Sequence, residues 1–126
     1  MSKRKPAGPE EGGSPGADPA IFDRAHLGQY TGGEAELERE LVSLFLGHFA
    51  PVRRQLEAAR SAQDWKFAAH SLKGSARSIG APQIAALAEA LEAMGSAAPG
   101  KSRTEALDAL DAAMSAFAGE ARKAIG

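Results

Sequence analysis

Four segments of this chain carry apolar residues in steps of three and four, and no segment alternates apolar with polar residues. That period belongs to helices with one buried stripe each, and it excludes a sheet protein. The first long segment places Leu37, Leu41, Leu44, Phe45, Phe49, Val52 and Leu56 on one side. A second runs from near Gln63 to Ile79. A third carries Ile84, Leu87, Ala88, Leu91 and Met94, and a fourth carries Leu107, Leu110, Met114, Phe117 and Ala121. The connections between them are short. The expected fold is therefore all-α: an antiparallel four-helix bundle with a short additional N-terminal helix across one end.

Local signals mark the expected ends. Asp23 can cap the short helix, which runs through Leu27 towards Thr31. Thr31-Gly32-Gly33-Glu34 has the form of a capping box for the long helix, and Ser102-Arg103-Thr104-Glu105 repeats that form before the last one. Pro51 removes a backbone donor inside the long pattern, so a kink or a split near His48 is expected. Gly80 ends the helix that starts near Gln63, Pro82 suits the first turn of the next, and Gly95 to Gly100 reads as a loop. Residues 1–19 are rich in Pro and Gly and nearly free of large apolar side chains. They are expected to form a disordered tail, with residues 20–126 forming the bundle.

Composition narrows the function classes. With 15 Lys+Arg against 16 Asp+Glu, the net charge of −1 gives no electrostatic reason to expect nucleic acid or a membrane as partner. The absence of cysteine removes disulfides and thiolate metal sites. No two of His26, His48 and His70 stand three or four residues apart, so no metal site is expected. The basic start is followed by no apolar run, and no stretch is apolar enough to span a bilayer; the expected location is cytoplasmic.

The chemistry gathers in Ala68–Ala81, AAHSLKGSARSIGA. On a helical wheel with Leu72 at zero, Trp65, Ala68, Ala69, Ala76 and Ile79 fall within about 60° and form the core stripe. His70 falls near 160°, with Lys73 near 100°, Lys66 near 120°, Arg77 near 140° and Gly74 near 200°. His70 is thus expected on the surface, among cations. Gly74 costs an exposed helix about 1 kcal/mol relative to alanine and leaves bare backbone one turn from the imidazole. Phe67, one turn before His70, either joins an exposed docking face with Lys66 and Arg77 or tucks against a neighbouring helix. An imidazole that is largely neutral at pH 7, a cation and a gap suit the acceptance of a phosphoryl group, which needs positioning and positive charge. An ordinary solvated histidine on a helix face is the other reading of these positions.

His70-Ser71-Leu72-Lys73-Gly74-Ser75, followed by Gly80, resembles the H-x-L-K-G-S-x-x-x-x-G motif of histidine-containing phosphotransfer (HPt) domains of bacterial phosphorelays. The resemblance extends to Phe22-Asp23, Phe45-Leu46 and Ala88-Glu89 with Leu91-Glu92, over roughly residues 21–120. It implies that His70 is the phosphoacceptor, that Lys73 assists, that Gly74 permits access and that Gly80 allows close packing. It places Ser75 and Glu92 as supporting groups; relatives often carry Gln where Glu92 stands, and pairing with Lys73 is the other role open to this carboxylate. The partners it implies are receiver domains, which would hold any Mg²⁺, so no cofactor is expected on this chain, which should be a monomer. There is no glycine-rich nucleotide loop, so kinase activity is not expected. A helical adaptor that binds a signalling partner without chemistry is the alternative.

Overall fold

The computed structural model describes residues 20–95 and 100–126. The expected disordered tail lies outside the described residues, as do positions 96–99 of the expected loop. Five helices follow in order: α1 (Arg24–Thr31), α2 (Ala35–Ala58), α3 (Ala62–Ile79), α4 (Pro82–Met94) and α5 (Gly100–Ile125). The four long helices form the bundle, and α1 lies against α2 and α3.

The core follows from the stripes. Trp65, Ala68, Ala69, Leu72, Ala76 and Ile79 are the buried face of α3, the set the wheel requires. From α4 come Ile84, Ala85, Ala88 and Leu91, and from α5 come Leu107, Leu110, Ala113, Met114, Phe117 and Ala121. The α3–α4 interface is the most extensive in the molecule and is lined largely by alanines. Elsewhere in the core, Phe117 of α5 is the centre of aromatic packing, with Phe22 and Phe45 edge-on at 5.3 and 5.4 Å. Trp65 donates its indole N–H to the Leu91 carbonyl at 2.6 Å, and the Arg103 guanidinium lies 4.9 Å from the ring centroid. Arg53 makes a two-pronged bond to Asp111, both arms 2.9 Å, which joins α2 to α5. The guanidinium holds the Asp111 carboxyl below its ordinary pKa by hydrogen bonding first and by charge second, against desolvation.

Several local expectations are corrected. Thr31 does not cap α2. It closes α1, where Gly32 at φ +65° terminates the helix and returns its N–H to Gly28. The Thr31 hydroxyl is buried and engaged with the Glu38 carboxylate at 2.9 Å, so α2 starts at Ala35, after Glu34, without a side-chain cap. Ser102 does not cap α5 either; the helix already runs from Gly100, and Arg103 in its first turn anchors to Trp65 and to the Leu56 carbonyl. Pro51 does not split α2, which is continuous from Ala35 to Ala58. It faces solvent one turn after Gly47, itself exposed, so the carbonyl that lost its donor lies on the wet side of the helix. Leu44 is not a core residue: it is 59 % exposed. The buried positions of α2 are Glu38, Val42, Phe45 and Leu56, with Leu37 and Leu41 only half-buried.

Asp23, as expected, caps α1 by accepting the His26 N–H at 3.0 Å. Ser61 caps α3, one position before its first residue, by accepting the Asp64 N–H at 3.1 Å. Gly80 ends α3 in the left-handed region, φ +83°, and Pro82 opens α4. Gly80 also meets the start of α1: its carbonyl accepts the Asp23 N–H at 2.7 Å, and any β-carbon there would run into the Asp23 backbone. A glycine is required on both counts.

Candidate functional site

α3 presents His70 to solvent because its opposite face is consumed by the core. The His70 side chain is 68 % exposed. Its Nδ1 lies 3.1 Å from Oε2 of Glu92, which reaches across from α4. The second carboxylate oxygen of Glu92 accepts the Lys73 ammonium at 2.8 Å, and both of these partners are largely covered, Glu92 to 16 % exposure. One carboxylate therefore bridges the imidazole and the lysine. The hydrogen bond from Lys73, then its charge, and then His70 hold the Glu92 carboxyl below its usual pKa against partial desolvation. An ionised carboxylate only accepts, so the proton of the neutral imidazole sits on Nδ1. Nε2 then keeps its lone pair.

Around this pair the expected site residues divide. Lys73 does not stand free beside the imidazole; it is locked to Glu92. Gly74 is exposed, and a β-carbon added there would meet nothing within 4 Å. Among the described residues no packing requires a glycine at this point. Phe67 is 71 % exposed and not part of the core. Lys66 is exposed and Arg77 lies on the α4 side, 3.8 Å from Glu89. Ser75 sits on the other flank of α3, towards α2. Gly80 lies at the far end of the helix, in the α1 contact, and supports the frame and not the imidazole.

Sequence reading missed what lies on the α2 side. Ser75 and Ser78 form one wall of an apolar groove whose other walls are Leu41, Leu44 and His48 of α2 and Leu27 and Tyr30 of α1. Tyr30, Leu44 and Phe67 are the large apolar side chains most exposed to solvent. The signal was present: Leu37, Leu41, Leu44 and His48 repeat at steps of four and three, beside the stripe of residues 38, 42, 45, 49, 52 and 56. Two adjacent stripes on one helix mean one for the core and one for something else. Among the described residues no group of His and carboxylates is arranged to hold a metal ion, and no helix is long and apolar enough to cross a membrane.

No curated protein and no solved structure matches the chain. The family model of the Hpt domain matches residues 40–120, from the second turn of α2 to near the end of α5. Hpt domains are helical bundles that carry phosphoryl groups on histidine in phosphorelays, without kinase activity of their own, and interact there with receiver domains. With almost two thirds of its length matched, and its exposed histidine on the third of five helices, this chain belongs to the Hpt domain family.

Proposed function

We propose that this protein is a phosphorelay intermediate that takes a phosphoryl group onto His70 from a receiver-domain aspartate and passes it to the aspartate of another receiver. The observation that carries this reading is the pairing of an exposed imidazole with a covered carboxylate on the neighbouring helix. Nε2 attacks the phosphorus of an aspartyl phosphate, and the bond from phosphorus to the aspartate oxygen breaks. The aspartate leaves as a carboxylate. The imidazole keeps its Nδ1 proton and becomes cationic once phosphorylated; the Glu92 carboxylate, already on that proton, compensates the charge. The reverse sequence on a second receiver discharges it.

Lys73 supplies positive charge near the transferring group. Such a pair at about 4 Å is worth roughly 1 kcal/mol in water and about 4 at an effective dielectric of 20. A docked receiver moves the site towards the second value. Glu92 restrains Lys73 until an anionic group competes for it. No cofactor acts on this chain, which works as a monomer, and Mg²⁺ belongs to the receiver.

The receiver covers His70 and Gly74 and extends to Phe67 and the Tyr30–Leu44 groove, with Lys66 and Arg77 at the rim. An apolar centre with charged edges is a common interface pattern. The test uses phosphoramidate, a small donor that needs no partner, and labelled receivers. Wild type should be labelled on histidine by both, and His70→Gln by neither, with helicity and melting temperature nearly unchanged. A His70→Gln variant that still accepts label, or a fold that collapses without the imidazole, overturns the assignment. A helical adaptor without chemistry predicts that the variant keeps its biological function.

A further inference from the structure

Among the described residues, Glu38 is the one carboxylate in the core. It is 1 % exposed, lies on the core stripe of α2, and has no part in the transfer chemistry. One oxygen accepts from Nε and Nη2 of Arg24, each at 2.9 Å, and the other from the Thr31 hydroxyl at 2.9 Å. Arg24 and Thr31 are the first and last residues of α1, seven apart and so on one face of it. A single buried carboxylate thus spans the length of a two-turn helix.

Apart from that carboxylate, α1 is held at its first residue by Arg24, whose Nη1 also donates to the Ala124 carbonyl of α5. The buried residues of α1 are Leu27 and Thr31. Phe22 against Phe117 and the Asp23–Gly80 hydrogen bond fix where it begins. Neither fixes its roll or its far end. Tyr30, beside Thr31, forms the outer wall of the groove. Turn α1 about its axis and that wall moves. Arg24, Thr31 and Glu38 all precede residue 40, where the span matched by the family model begins.

We infer that Glu38 is a positioning residue for receiver docking: it sets the roll of α1 and thereby holds Tyr30 in the docking groove. The inference rests on the proposed function for its partner, a receiver domain, and not for its geometry. A buried charge with all its partners in place is directional, which apolar packing around Leu27 alone is not.

The experiment compares the full-length wild type with Glu38→Gln and Thr31→Val, using a receiver that exchanges label with the wild type. In Glu38→Gln, phosphoramidate should label His70 at the wild-type rate, because α3 and α4 are untouched. Amides of α1 should exchange about tenfold faster while those of α3 and α4 keep their protection. Receiver affinity should fall about tenfold. Tyr30→Ala, which weakens docking in the wild type, should add little in the Glu38→Gln background, since coupled sites are not additive. Thr31→Val keeps the Arg24 pair and should shift all three readouts in the same sense by less; it decides the matter if Glu38→Gln fails to fold. Unchanged affinity with a loosened α1, unchanged α1 exchange, or full additivity with Tyr30→Ala overturns the inference. A wild type that phosphoramidate does not label on His70 overturns the proposed function instead, and the exchange data still report on Glu38.

Discussion

Truncating Phe67 to alanine separates a docking residue from a structural one. A core phenylalanine costs about 3–5 kcal/mol on truncation. Phe67 is 71 % exposed, so less than a third of a side chain worth roughly 200 Å² is covered. At about 25 cal/mol per Å² that covered part is worth at most about 1.5 kcal/mol. Alanine recovers about half a kcal/mol of helix propensity at an exposed site. The expected net loss of stability is about 1 kcal/mol or less. The exposed part, roughly 140 Å², would contribute up to about 3.5 kcal/mol if a receiver covered it, and a realised share of half to all of that weakens binding about twenty- to several-hundredfold. Urea unfolding and receiver titration on the same variant read both numbers, and phosphoramidate labelling should stay at the wild-type rate. A stability loss above 3 kcal/mol with unaltered affinity per folded molecule would refute the reasoning, because it would place the ring inside the bundle.

Gly74→Leu should stabilise the protein by about 0.8 kcal/mol in urea, since nothing in the chain opposes a side chain there, and should slow transfer from a receiver by crowding the imidazole; transfer at the wild-type rate would remove the access role. Gly80→Ala should destabilise by about 2–4 kcal/mol, combining a left-handed backbone with displacement of Asp23 and loss of its hydrogen bond; a loss under about 1 kcal/mol would show that α1 can yield at no cost. Asp111→Asn tests the α2–α5 tie through pH. The folded-state pKa of Asp111 is lowered from 3.8, so its contribution is present above the unfolded value and is lost as pH falls through the lower folded one. The stability gap between wild type and variant should therefore hold from neutral pH to about pH 5 and close below 3.8; a gap that closed between pH 6 and 8 would assign the effect to another group.

The sequence made the helices and the face of α3 legible because both depend on period alone. Trp65, Ala68, Leu72 and Ile79 share one side of any helix drawn through them, and His70 must then lie on the other. Reading failed where a polar side chain has two competing partners. Thr31 has the right spacing to cap α2, but a buried carboxylate four positions into that helix claims its hydroxyl. Nothing local announces that Glu38 is buried, since a charge on an apolar stripe reads as an interruption. The contact of Lys73 with Glu92, one of the two roles the sequence left open for that carboxylate, joins residues 19 apart, and the packing of α3 on α4 decides between them. Leu44 misled for the opposite reason, because a leucine at helical spacing reads as core whether or not another helix lies over it.

The alanines between α3 and α4 set how finely the site can be tuned by change elsewhere. His70 and Lys73 stand on one of these helices and Glu92 on the other, so the bridge they form measures the gap between two backbones. Ala68, Ala69 and Ala76 on one side and Ala85 and Ala88 on the other keep that gap narrow. A single added methyl group at such a position acts as a wedge. It would lift the carboxylate from the imidazole without touching any residue that reacts. The geometry of the site is therefore most sensitive to bulk at positions that carry the least chemistry, and an inventory of polar side chains would overlook them.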